Sequence, residues 1–141
     1  MTAKKDPPFR AEHIGSLLRP PELLGARRAF DEGKIAVEAL HLDVFFLEYD
    51  SPRAGSFAPL KPVPREKVVV LGLVNTKSPV LESADELRRR IDEASRLVPL
   101  DRLALSPQCG FASTAPGNPI TPADQERKLR LVVEVANKTW G

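Results

Sequence analysis

The chain holds one cysteine, Cys109, in the stretch ALSPQCGFAST between Gln108 and Gly110. As a thiolate it would serve as a metal ligand or a nucleophile. Glu48 closes a separate apolar run, FFLEY, and a carboxylate and a thiolate gathered at one rim suit zinc, which is borderline-soft and accepts oxygen, nitrogen and sulfur. The segment His13-Ile14-Gly15-Ser16 sets a glycine and a hydroxyl where a backbone could approach a ligand closely. Asn75, Thr76 and Lys77 follow a third apolar run. Each of these residues also has a plainer reading. A lone cysteine is commonly a small buried hydrophobe. Glu48 could pair with Arg53 or face water, and His41 reads as a surface or helix-end residue. Cysteine-nucleophile catalysis would require a base, and the sequence places neither His13 nor His41 beside Cys109.

The elements that must position these groups follow from periodicity and punctuation. Residues 1–11 are polar with Pro7 and Pro8 and read as a flexible N-terminal arm. Pro20 and Pro21 suit the first turn of a helix continued by Leu23, Leu24, Ala26, Arg27 and Phe30 and ended by Gly33. IAVEAL (35–40) resumes helical spacing. DVFFLEY (43–49) is apolar almost throughout and predicts a parallel strand covered on both faces. DSPRAGSFAPLKPVPREK holds four prolines and predicts a long loop. VVVLGLV (68–74) predicts a second buried strand. Ser83 and Glu86 predict a capping box opening a helix with Leu87, Ile91, Ala94 and Val98 on one face, stopped by Pro99. RLALS (102–106) predicts a third strand. Thr121-Pro122 opens a last helix, predicted to turn Leu129, Val132, Val133 and Ala136 inward. This alternation is the α/β pattern, in which ligands gather at the carboxyl ends of parallel strands. Glu48, Asn75–Lys77 and Cys109 all fall at such ends.

The totals bound the class of function. At 141 residues, 42% hydrophobic and 28% charged, the chain has the size and composition of one globular domain. Its net charge of +2 supplies no electrostatic footprint for nucleic acid. No run approaches the roughly 20 apolar residues of a membrane span. A single cysteine forbids an internal disulfide and agrees with a reducing, cytoplasmic setting.

Four segments, FRAEHIGSLLRPPELL, FFLEYDSPRAGSF, VVLGLVNTKSPVLES and LALSPQCGFAST, closely resemble the cobalamin-independent methionine synthase family, in particular its short single-barrel members. The resemblance spans nearly all of residues 9–141. It implies a (β/α)8 TIM barrel and transfer of a methyl group to the sulfur of homocysteine, with zinc holding the thiolate and methyltetrahydrofolate, often polyglutamylated, as donor. By the same resemblance Glu48 and Cys109 are zinc ligands, and Ile14, Gly15 and Ser16 hold the amino-acid part of homocysteine. Asn75-Thr76-Lys77 stands where longer members have Asp-x-His, so that histidine's role is not carried over, and no residue is assigned as catalytic.

The sequence departs from the family in two ways. The family's first two zinc ligands form a His-x-Cys pair, and no such pair occurs in this chain. An intact barrel also takes about 200 to 250 residues or more, and the family pattern jumps between Gly33 and Val37, as though a large internal segment were missing. The expected fold is therefore an incomplete TIM barrel of about four parallel strands. It would form one domain over 12–141, with 12–36 resembling the barrel start and 37–141 its C-terminal strands. Open edges would invite pairing of two chains as a homodimer. Two functions compete: a zinc-dependent methyltransferase, or part of one, without full activity on its own; or a non-catalytic remnant serving as a binding or oligomerisation module.

Overall fold

The computed structural model describes residues 25, 28, 29, 32–34, 43–112 and 117–141. Its centre is a parallel sheet in the order β1-β2-β3, formed by β1 (Val44–Glu48), β2 (Val68–Val74) and β3 (Leu103–Pro107). Two helices accompany it, α1 (Ala84–Ser95) and α2 (Pro122–Trp140). The strands lie within a residue or two of their expected positions, because uninterrupted β-branched and apolar residues bounded by proline-rich stretches leave few alternatives. The fourth expected strand, the segment 14–16 and the helical reading of IAVEAL lie outside the described residues.

Gly33 ends a helical turn as expected. Its φ of 68° is left-handed, and Lys34 N–H reaches back to Ala29 O at 2.8 Å, closing the turn as glycine at this position allows. The proline-rich stretch is a loop that folds into two short 3-10 turns, Pro52–Ala54 and Ala58–Leu60. It packs down rather than out: Phe57 and Leu60 are buried, the Phe57 and Tyr49 ring centroids lie 4.5 Å apart, and the Arg90 guanidinium sits over the Phe57 ring, 4.7 Å from its centroid.

One face of the sheet carries the main core. Val69, Leu71, Leu73, Leu103 and Leu105 meet Leu87, Ile91 and Ala94 of α1 and Leu131 and Val135 of α2. The opposite face holds the small cluster Val68, Val70 and Ala104. The alternation follows from the two-residue period of a strand.

Four expectations need correction. β1 is not covered on both faces: among the described residues it pairs only with β2, and Val44 and Phe46 are 37% and 55% exposed. α1 ends at Ser95, ahead of Pro99, since the residue before a proline is pushed out of the helical region and the last turn unwinds early. Leu97 and Val98 N–H both turn back to Ala94 O, which keeps Val98 buried beyond the helix. The Ser83 cap is only half a box: its hydroxyl accepts from Glu86 N–H, but the Glu86 carboxylate turns to Arg89. Finally, α2 buries Asp124, Lys128, Leu131 and Val135 and packs Val132 against the core as expected, but leaves Leu129 and Val133 exposed. The helix is rotated because Lys128 finds an anionic partner inside.

Candidate functional site at the carboxyl ends of the strands

Parallel pairing brings Glu48, Gly72 and Ser106 into one row across the sheet, since Glu48 pairs with Gly72 and Gly72 with Ser106. Beyond that row, Gln108 N–H donates to Val74 O at 2.8 Å and extends β3 past a register shift between Gly72 and Val74. Cys109 follows, directed back toward β1. Its Sγ donates to Glu48 Oε1 at 2.7 Å, and Gln108 Nε2 donates to Glu48 Oε2 at 3.0 Å. Both oxygens of one carboxylate are thus engaged by consecutive residues of the neighbouring loop.

Gly72 makes this convergence possible. A Cβ there would lie 3.1 Å from Leu47 O and 3.3 Å from Gln108 Cα, both backbone atoms unable to swing aside. Its φ is unexceptional, so close approach rather than turn geometry is what favours glycine here. A glycine inside an otherwise bulky apolar strand, VVVLGLV, was the signal available in the sequence.

The electrostatics fit a neutral thiol beside an ionised carboxylate. Burial, then the hydrogen bond to Glu48 and that residue's charge, push the Cys109 thiol up to about 11. Hydrogen bonds from Cys109 and Gln108, aided by the charges of Lys77 and Arg53, hold Glu48 below the usual carboxylate range, against a smaller opposing effect of burial. Arg53 acts on Glu48 only through its charge. At neutral pH the thiol is therefore a poor nucleophile until something displaces its proton.

The β2–α1 loop forms the adjoining wall. Asn75 Nδ2 donates to Asp50 Oδ2 at 2.7 Å, its Oδ1 accepts from Lys77 N–H at 2.7 Å, and its own N–H donates to Glu82 Oε1 at 2.8 Å. Asn118 Nδ2 donates to Thr76 O at 3.0 Å and to Gly110 O at 3.4 Å, tying this wall to the Cys109 loop. Among the described residues, two polar atoms at the rim, Thr76 Oγ1 and Gln108 Oε1, are buried without a hydrogen-bond partner. Such orphaned atoms are costly, and they mark a rim whose polar capacity is not used up by the chain.

Of the residues singled out from sequence, Glu48 and Cys109 are brought together, and Asn75–Lys77 stands beside them. Ile14, Gly15, Ser16, His13 and His41 lie outside the described residues. As a zinc site the pair fits in donor type, carboxylate and thiol, but not in number. Structural sites use four protein ligands and catalytic sites three, and among the described residues no group of three or more histidine, cysteine or acidic side chains could hold a metal. No helix among the described residues is long and apolar enough to cross a membrane.

Comparison with known proteins adds an independent line. The sequence profile of the catalytic domain of cobalamin-independent synthases matches residues 28–138. The Bacillus subtilis protein YxjG, itself uncharacterised, is 56% identical over 104 residues, covering 73% of this chain and 28% of YxjG. A 5-methyltetrahydropteroyltriglutamate–homocysteine methyltransferase of Bacillus licheniformis is 30% identical over 112 residues, 79% of this chain and 14% of that enzyme. Among solved structures, a putative vitamin-B12 independent methionine synthase from Listeria monocytogenes superposes with a TM-score of 0.53 at 41% identity, over 72% of this chain and 29% of that one. The chain thus spans less than a third of the length of the relatives it matches.

Proposed function

This chain belongs to the cobalamin-independent synthase family, and from that premise we propose that it carries part of the thiol-binding zinc centre of a methyltransferase that forms methionine from homocysteine and a methyltetrahydrofolate. The observation that supports the reading is the Cys109–Glu48 contact at 2.7 Å, where the two residues assigned by resemblance meet at one sheet end. In this reading the described residues belong to an incomplete (β/α)8 barrel, with 12–141 as one domain in a cytoplasmic protein.

Glu48 and Cys109 would hold the metal, and Ile14, Gly15 and Ser16 would hold the amino-acid end of homocysteine. Bound zinc would supply a lowered pKa for the substrate thiol, so that it arrives as the thiolate that attacks a methyl group. The chain's own part is local. Glu48 keeps its charge because Cys109 and Gln108 donate to it, and the Cys109 proton must leave as metal arrives. Gly72 leaves room for both loops to close on the carboxylate.

Two ligands do not complete a zinc site, so the chain alone is expected to bind metal weakly and to lack full activity. Titrating the purified protein with cadmium while following the sulfur-to-metal absorption tests this: a weak band lost in both Cys109→Ala and Glu48→Gln supports the reading. Absence of any band, or a band indifferent to Glu48, would sink it. Supplied with zinc, homocysteine and methyltetrahydrofolate, the chain alone should form little or no methionine; efficient turnover would overturn the two-ligand account.

A second reading has its own observation. Phe46 is 55% exposed and Val44 37%, on the same face as Val68, Val70 and Ala104, along the edge strand β1. This favours a binding or oligomerisation module in which a second copy covers that edge.

A further inference from the structure

Lys128 lies on the core side of α2 with no exposed surface. Its ammonium has three acceptors: Val80 O at 2.5 Å, Glu82 Oε2 at 2.9 Å and Glu82 Oε1 at 3.1 Å. Three donors thus meet three acceptors and the buried charge is fully partnered. Stability alone does not require such a pair, since well-packed apolar residues in place of both partners are often as stable or more so. What the pair does is fix Glu82. The same Oε1 accepts Asn75 N–H at 2.8 Å, and the Asn75 side chain in turn holds Asp50 at 2.7 Å. Asp50 lies two residues beyond Glu48, at the exit of β1. A continuous polar path therefore runs from the core side of α2, through the β2–α1 loop, to the strand end that carries Glu48.

We propose that Lys128 is a positioning residue for the Glu48–Cys109 pair, acting through Glu82 and Asn75 to hold the end of β1 in register with the loop after β3. The proposal rests on the reading that Glu48 and Cys109 form one metal-holding edge. Asn75 is the hinge of the relay, because its N–H faces Glu82 while its side chain serves Asp50 and Lys77 N–H together. None of the path's hydrogen bonds is made to Glu48 or Cys109, so it leaves the donor set unchanged.

The test uses the full chain and two variants. In K128M/E82L both charges are removed together, so no uncompensated ion is left in the core, while Asn75 N–H loses its acceptor. Amide NMR spectra of the metal-free proteins supply a readout independent of metal. The resonances of Glu48, Asp50, Gly72 and Cys109 should shift, with the thermal midpoint within a few degrees of the parent. Residues supporting metal ligands typically change affinity by about 10–100-fold, so cadmium affinity should fall by about tenfold or more. Asn75→Ala, which removes the side-chain links to Asp50 and to Lys77 N–H and spares Lys128–Glu82, should reproduce the shifts at Glu48 and Cys109, and it decides the matter if the double variant does not fold. Shifts confined to residues around 80–82 and 128, or cadmium affinity that merely follows thermal stability, would overturn the relay. Absence of a cadmium band in the parent protein refutes the metal reading, and the amide shifts then decide the relay separately.

Discussion

Cys109 donates its thiol proton to Glu48 Oε1 at 2.7 Å, although 61 positions separate the two residues in the chain. The contact exists because β1 and β3 flank β2 in one parallel sheet and both residues sit at the carboxyl end. A sulfhydryl so held is a donor rather than a nucleophile, and a carboxylate so held is ionised.

The Cys109 thiol, pushed up to about 11, should therefore resist alkylation near neutral pH in the metal-free protein. Burial is the largest cause and the Glu48 hydrogen bond the next, so Glu48→Gln should lower the apparent pKa without restoring the ordinary thiol value. Iodoacetamide labelling followed by mass spectrometry across pH 7 to 11 reads this directly. Identical profiles for the two proteins would show that the contact does not govern the thiol.

Gly72→Ala places a methyl group against Leu47 O and Gln108 Cα, and neither can rotate away. The neighbouring backbones must part, at a cost of about 1–3 kcal/mol by analogy with overpacked cores. Urea unfolding should show that loss, and the labelling rate of Cys109 should rise as its contact with Glu48 loosens. A variant of parental stability with an unchanged labelling rate would mean that the sheet end relaxes freely.

The strands and the placement of Glu48 and Cys109 at their ends were legible because apolar runs and prolines are local signals and because ligand sites follow strand termini in α/β folds. What escaped the sequence depends on distant partners. Lys128 reads as a solvated helix residue until Glu82, 46 positions away, is found beside it. With Lys128 turned inward, Leu129 and Val133 turn out, while Val132 keeps the place against the core that hydropathy selects for it. β1 likewise looked fully buried because composition reports apolar side chains and not whether a neighbour exists to cover them.

The exposed face of β1 yields a prediction about association. If a second copy covers it, sedimentation should reveal concentration-dependent dimers, and Phe46→Lys should shift them to monomers by placing charge at the centre of the contact. A parent protein that stays monomeric across the range, or dimers indifferent to Phe46→Lys, would remove the oligomerisation reading.

The last helix carries a pH-sensitive start. Thr121 and Asp124 form a reciprocal capping box: Asp124 N–H donates to Thr121 Oγ1 at 3.2 Å, while Thr121 N–H and hydroxyl donate to Asp124 Oδ2 at 2.9 and 2.6 Å. The Thr121 hydroxyl, then its backbone N–H, hold the Asp124 carboxyl below its usual range, with the charge and contact of Arg127 assisting. A depressed carboxylate pKa adds stability that is fully present above the unfolded value, near 3.9 for aspartate, and that fades as pH falls through the lower folded value. Thr121→Ala should cost about 1 kcal/mol at neutral pH, as for other helix N-caps. Asp124→Asn should weaken the protein near neutrality but flatten its decline at acid pH, so that the two unfolding curves converge below pH 4. Parallel curves from pH 7 to 3 would show that Asp124 titrates alike in the folded and unfolded chain, and that the box at the start of α2 does not depend on its charge.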